Sequence, residues 1–537
     1  MHNLFIRYTC LLLIILFIVM LARKIKIAYP ILLVIAGLAL SFIPYLGSIE
    51  LEPDTIFVIF LPPLLYEAAW NTSWKDFWKW RRVISSFAFL IVIVTSCVIA
   101  VVSVYLIPGF TLAAGFLLGG IISPPDAVSA STIMKNLKVP KRLVAIVEGE
   151  SLLNDASSLI VFRFALAAVT TGTFVFGEAA LSFVVVIVAG VLTGLAVAWI
   201  FYAIHRWFPT TTNIDIVLTF LTPYAMYLVA ESFHFSGVLA VVSGGLFLSV
   251  RRHSFLTHRS RLQGVNVWEA IAFVLNGFIF ILIGLEFPVI IKSLGPGGLA
   301  PAIKYSLIIT GVLIVTRLAS TYGALFFTMF ISRYIKTADS SPGWKAPLLF
   351  GWTGMRGVVS LAAALSVPVT LQSGLPFQQR NLILFITFTV ILVTLVLQGL
   401  TLPALVKWVD MADPDYTISL DQQRELVRNK LSKNSLQLLE TKYKEQLESN
   451  DMLKSLKLKL SADIKSGRDP ASENQDAENS SRQIYRDTMS DLLKEQRNLL
   501  ITLNKKEGVS DDIIRQQLEL LDLEEEKIRQ HFDAQEP

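Results

Sequence analysis

Long apolar runs with few charged positions recur along the chain as far as Leu405, and the polar positions collect in short stretches between them. Runs such as Leu4 to Ala22 and Phe87 to Leu106 are long enough to cross a hydrocarbon layer of ~30 Å, which takes ~20 helical residues. A backbone in lipid must satisfy its own N–H and C=O groups, so runs of this length predict helices. Thirteen candidate spans follow, at 4–22, 28–45, 54–70, 83–106, 112–134, 142–168, 180–204, 213–232, 235–250, 266–290, 301–332, 347–372 and 381–405. The predicted fold class is an all-α polytopic membrane protein.

Beyond Asp410 the pattern changes. Leu420 to Leu460 and Tyr485 to Phe532 are rich in Leu, Glu, Lys, Arg and Gln, with apolar positions at helical spacing in Ile514, Leu518, Leu521 and Ile528. These segments read as amphipathic helices. Ser466 to Ser481 between them has almost no apolar residue and reads as a linker. The expected domains are therefore a transmembrane domain at 1–409 and a helical tail at 410–537. The tail reads as a solvated hairpin or dimer-supporting coil, with a regulatory sensor as the sharper alternative.

Composition agrees: 53% of residues are hydrophobic, 17% are charged and the mean hydropathy is +0.58, against about a quarter charged in soluble domains. The first run carries its basic cluster, Arg23, Lys24 and Lys26, after it and no cleavage site follows, so it reads as a retained helix. Cys10 and Cys97 lie in apolar runs without metal-type spacing. The net charge of +5 could suggest an acidic partner, but its distribution fits membrane orientation and not nucleic acid. One alternate set of loops holds Arg23, Lys24 and Lys26, then Lys75 to Arg82, Lys135 to Arg142, Arg206, Arg251 to Arg261, and Arg333 to Lys345. The opposite set holds Arg7, Lys292, Lys304 and Arg380. The basic set is cytoplasmic by this rule, which puts the amino terminus outside and the tail inside. The sequons at Asn71 and Asn479 then fall on the cytoplasmic side and are discounted.

Charges at bilayer depth are costly and mark ion or proton pathways. Those predicted there are Glu67, Asp126, Glu150, Asp155, Arg163, Arg317 and Arg356, with Glu148, Glu231 and Glu286 nearer span ends. Acids and bases in such numbers could simply neutralise one another. The sixth span opens Glu148-Gly149-Glu150-Ser151-Leu152-Leu153-Asn154-Asp155, which sets Ser151 and Asp155 on one helical stripe and Glu150 and Asn154 on the next. A hydroxyl, an amide oxygen and a carboxylate suit a hard cation such as Na+. In the fifth span, Ser123-Pro124-Pro125-Asp126 must interrupt the helix, freeing carbonyls up to Pro125 beside the Asp126 carboxylate. The twelfth span carries Gly351, Gly354 and Gly357 around Met355 and Arg356. Two interrupted helices at corresponding places point to inverted repeats around a midplane site, here two six-helix repeats with crossing broken helices.

At these residues the chain resembles the sodium/proton exchangers of the cation:proton antiporter-1 group, bacterial type. The resemblance rests on Phe60-Leu61-Pro62-Pro63-Leu64-Leu65-Tyr66-Glu67, Ser123 to Val128, Glu148 to Asp155 and Gly354 to Ser360. It implies that Asp155 alternately holds cation and proton, and that Asn154, Ser151, Glu150, Asp126 and Pro125 help build the site. Asp155, Ser151 and Asp126 would be the Na+ ligands. Glu67, Arg317 and Arg356 are implied to be internal ion pairs, and a homodimer is implied. The family commonly has Thr where this chain has Pro125, which removes a hydroxyl and keeps the carbonyl.

The function expected is secondary active antiport of Na+ for H+ across a bacterial inner membrane, electroneutral because Asn154 adds no second ionisable carboxylate. It would serve pH and sodium homeostasis without a cofactor. K+ or Li+ in place of Na+ stays open, and a channel or tethered sensor is a competing class. A channel needs a filter of carbonyls or a charged ring, for which no repeated segment is present. An enzyme is disfavoured, since no nucleophile paired with His, metal cluster or phosphate loop occurs; His205, His253 and His258 read as solvated loop residues.

Overall fold

A computed structural model describes residues 2–42, 58–134, 137, 139–172, 176–295, 297–331, 343–371, 376–411, 420–466, 489, 491–498, 500, 517, 520–521, 523–525 and 527. The chain divides into two units, Met1–Asp413 and Pro414–Pro537. Among the described residues the structure is helical apart from one isolated bridge, Thr370 to Pro376. Among the described residues, eight helices are long and apolar enough to cross a membrane.

The helices of the first unit sort into two bundles by their packing. One contains His2–Ile25, Tyr29–Leu40, Leu61–Asn71, Phe176–Trp207, Thr212–Ser232, Gly237–Phe255 and His258–Ser293. The other contains Trp74–Ser85 continued by Val92–Leu106, then Leu112–Ile122, Ala127–Met134, Lys141–Thr171, Leu299–Ile331, Lys345–Trp352, Val358–Leu365 and Arg380–Val409. Small residues let the second bundle close tightly. A Cβ on Gly115 or Gly119 would lie 2.8 Å from the Cα of Ala100 or Ser96, so the Leu112–Ile122 and Val92–Leu106 helices meet backbone to backbone.

Three features depart from a plain string of spans. The segments 112–134 and 347–372 are each divided, at 123–126 and 353–357, because proline in one and glycine in the other interrupt the helical ladder. The helix expected at 83–106 starts at Trp74 and passes through a π-helical turn, Ser86–Ile91. The one expected at 266–290 runs from His258 to Ser293, ~54 Å at 1.5 Å per residue, well beyond the hydrocarbon thickness.

In the second unit Leu420–Lys442, Lys444–Ser449 and Asp451–Ser466 follow one another. The first and third pack together and Lys457 Nζ meets Glu440 Oε1 at 2.9 Å. The linker beyond Ser466, the Asn479 sequon, most of the 485–532 segment, and Lys135, Lys138, Arg333 and Lys336 lie outside the described residues.

Candidate functional site

The two interruptions meet. The Asp126 amide donates to the Met355 carbonyl at 2.6 Å, so the break after Ile122 is stitched to the break after Trp352. A Cβ on Gly357 would lie 2.7 Å from Asp126 Cγ; no side chain larger than hydrogen fits that crossing. Four half-helix ends converge here, two carboxyl ends (Ile122, Trp352) and two amino ends (Ala127, Val358). Carboxyl ends carry partial negative charge and amino ends partial positive charge.

Asp126 answers an amino end. Its Oδ1 accepts from the Val128 amide at 3.3 Å, and its Oδ2 from the Ser129 amide at 3.1 Å and Ser129 Oγ at 2.6 Å. It is thus the cap of Ala127–Met134. Arg356 answers the carboxyl ends: Nε donates to Ile122 O at 2.9 Å, Nη2 to Ser123 O at 3.2 Å, and Nη1 to Gly354 O. Sequence reasoning assigns Arg356 to an ion pair; the guanidinium donates to carbonyls instead, because the broken helices leave those acceptors without amides.

Glu150 is also held. Its carboxylate takes both terminal nitrogens of Arg317, at 2.6 and 2.8 Å, with both side chains buried. A bidentate pair of this kind engages both oxygens of Glu150, which the resemblance implies helps build the site without counting it among the Na+ ligands. Glu67 Oε1 accepts from Asn71 Nδ2 at 2.6 Å.

Asn154 and Asp155 lie on the Lys141–Thr171 helix. Asn154 Nδ2 donates to the Pro125 carbonyl at 3.0 Å, so the proline-freed oxygen is oriented by its neighbour's amide. Asn154 Oδ1 and Ser123 Oγ are buried and have no hydrogen-bond partner among the described residues. Asp155 is 8% exposed, receives no hydrogen bond on its carboxylate among the described residues, and feels the charge of Asp126. Ser151 is half-buried one turn earlier on the Asp155 stripe. The crossing therefore brings the Asn154 amide to the Pro125 carbonyl beside Asp126, with Asp155 next to Asn154 on the same helix, and these oxygens are able to receive a cation or a proton.

Three arrangements escape sequence reasoning. Arg163 Nη2 reaches both carboxylate oxygens of Glu231 at 2.6 Å, joining the Asp155 helix to the other bundle. The sequence reading of Arg163 allows a lipid headgroup or an acid near the outer surface; which acid it is, Glu231, is not legible there. Ser157 Oγ donates to Ala88 O, in the π turn, at 2.5 Å. His205, expected to be solvated, is 5% exposed: its Nδ1 lies 3.0 Å from Asp215 Oδ1, while Ser260 Oγ donates to Asp215 Oδ2 at 2.7 Å. The imidazole belongs to the last turn of Phe176–Trp207, where the incoming Thr212–Ser232 helix covers it. The serine bonds the carboxylate and not the ring, so this is no nucleophilic relay.

Comparison with known proteins finds that the family described as sodium/hydrogen exchanger, transmembrane, matches residues 11–408. An uncharacterised sodium/proton exchanger of Mycobacterium tuberculosis is 32% identical, covering 96% of this chain and 94% of its own. A sodium, potassium, lithium and rubidium/proton antiporter of Bacillus pumilus is 34% identical, covering 77% of this chain and 62% of its own. The fold is similar to that of a sodium/proton antiporter of Methanocaldococcus jannaschii, with a TM-score of 0.59 at 18% identity over 73% of this chain and 97% of that one.

Proposed function

This chain belongs to the sodium/hydrogen exchanger family and is a multi-pass membrane cation/proton antiporter; we propose that it exchanges Na+ for H+ at Asp155. One observation carries the assignment. Asp126, Glu150, Arg317 and Arg356 are each held by hydrogen bonds or an ion pair, whereas the Asp155 carboxylate has no donor among the described residues. A bare carboxylate in a low-dielectric site is costly, and either a proton or a cation relieves that cost. The two exclude each other, and exchange follows from competition.

Ser151, Asp126, Asn154 Oδ1 and the Pro125 carbonyl complete the oxygen set, with Glu150 supporting it through Arg317. Asn154 titrates no proton and the Asp126 carboxylate is engaged as the cap of Ala127–Met134, so Asp155 is the carboxylate that exchanges, and one proton per cation with electroneutral exchange belongs to this reading. Thirteen spans in two inverted repeats, an external amino terminus in a bacterial inner membrane, a homodimer and a regulatory cytoplasmic tail belong to the same reading. The Bacillus pumilus relative, a sodium, potassium, lithium and rubidium/proton antiporter, supports K+, Li+ or Rb+ as the alternative cation. Purified protein in liposomes under an imposed pH gradient, challenged in turn with Na+, Li+, K+ and Rb+, tests the choice. Na+ is expected to dissipate the gradient at the lowest concentration, with no dependence on a valinomycin-clamped voltage; a response to K+ alone, or a voltage-dependent rate, would overturn it.

Alternating access moves one bundle against the other, and Arg163–Glu231 crosses between them eight residues past Asp155. With Cys10 and Cys97 replaced by Ser, a short reducible thiol cross-link between R163C and E231C is expected to stop exchange, and reduction to restore it. Full transport by the cross-linked protein would show that the two bundles need not separate there.

A further inference from the structure

The turn that widens the Trp74–Leu106 segment, Ser86–Ile91, is π-helical, a rare form that occurs mostly as single turns and frequently at functional sites. It packs against the Lys141–Thr171 helix, and one of its rings, Phe87, meets Phe350 of the second broken segment edge-on at 5.6 Å. From the Asp155 helix, the Ser157 hydroxyl donates to the Ala88 carbonyl of this turn at 2.5 Å and lies 2.9 Å from the Asn154 carbonyl. Ser157 and Ala88 are fully buried. A hydroxyl has a single hydrogen, so two acceptors share it.

Asn154 and Ser157 are three apart and occupy neighbouring positions on one helix face. Each sends a hydrogen bond to a carbonyl of a different element, Pro125 in the first interruption and Ala88 in the π turn. Two such bonds, one turn apart, set both the rotation of the helix about its axis and its height. Asp155 lies between them in sequence, and its carboxylate has no donor of its own to hold it.

We propose that Ser157 is a positioning residue for ion exchange: through the Ala88 carbonyl of the π turn it holds the Asp155 helix at the rotation that presents the carboxylate to the cation. This rests on Asp155 being the exchange site. The proton needs only one oxygen, while the cation needs several ligands converging on it, so misrotation weakens cation binding more than proton binding.

The test compares the full-length wild type, Ser157→Ala, Ser157→Thr and Ser157→Cys in liposomes, reading Na+ concentration dependence, maximal rate and pH profile. Ser157→Ala is expected to raise the KM for Na+ roughly five- to tenfold, the worth of one hydrogen bond, with the maximal rate little changed. Because a proton competes one for one, a tenfold loss of cation affinity moves the profile about one pH unit to the alkaline side. Thr keeps the hydroxyl and restores both; if its methyl does not fit, Cys fills the serine volume with a weak donor and gives an intermediate KM. A lower melting temperature with KM and pH profile unmoved makes the bond purely structural and overturns the proposal, as does a Ser157→Ala protein indistinguishable from wild type. A wild type that moves no protons in response to any alkali cation overturns the exchange reading itself, and this inference with it.

Discussion

Asp155→Asn abolishes cation-driven proton movement, by at least about a hundredfold, the scale on which removing an essential proton-transfer group acts. The variant keeps the shape of the side chain and replaces one carboxylate oxygen by an amide nitrogen, which removes the ionisable group. It therefore deletes both alternative occupants of the site at once. Folding is spared, because an amide buried at this position costs less than an unsatisfied carboxylate. Vesicles carrying the variant, matched to wild type for monodisperse protein by size-exclusion chromatography, should show no pH change on Na+ addition. Persistent Na+-dependent proton movement would remove Asp155 from the mechanism. Asp126→Asn makes an informative contrast: asparagine can still cap Ala127–Met134, so the fold is kept and the loss reports only the second carboxylate near the ion.

Glu150→Gln is expected to act on the fold more than on transport. It removes one half of the pair with Arg317, and breaking a buried pair by losing one partner costs about 3–5 kcal/mol. The cost is aggravated locally, because Arg317 and Arg356 flank Gly354, whose added Cβ would lie 3.0 Å from Arg317 Nε and 2.8 Å from Arg356 Nη1. Without Glu150 two guanidinium groups face each other with no carboxylate between them. Thermal unfolding followed by fluorescence-detected size exclusion should show a protein that is poorly recovered or melts far below wild type. Replacing the pair together, Glu150→Leu with Arg317→Met, should recover most of that loss, since apolar residues of similar volume commonly substitute for a buried pair without penalty. If Glu150 were instead a cation ligand, Glu150→Gln would remain stable and lose transport, an outcome that returns it to the ion site.

These expectations separate what one dimension can carry from what it cannot. That residues 112–134 break at Pro124 and Pro125, and that Asp155 is a charge inside a long apolar helix, are local properties: proline acts on its own ladder, and burial cost attaches to the carboxylate wherever the helix lies. Sequence reasoning accordingly found both interruptions and the Asn154-Asp155 pair. The shared stripe of Glu150 and Asn154 is a property of the helix and says nothing about what faces it; that Arg317 meets Glu150 is decided by the fold. Sequence reasoning read His205 as solvated by placing it in a basic cytoplasmic loop, and had no signal for the π turn, whose extra residue is visible only when the flanking turns are packed.

The sequence by itself determined that this chain is a membrane bundle with two broken helices and a carboxylate at its centre, because apolar length, proline and glycine act within single segments. Only the tertiary structure decided the partners: Arg317 for Glu150 across 167 residues, the Ile122 carbonyl for Arg356 across 234, Pro125 for Asn154 across 29 and Ala88 for Ser157 across 69. The reason is physical. In lipid, apolar faces are equally at home against tails or against one another, so hydrophobic pattern does not choose neighbours; small residues and the few polar groups that must be satisfied do, and these act only once the helices meet.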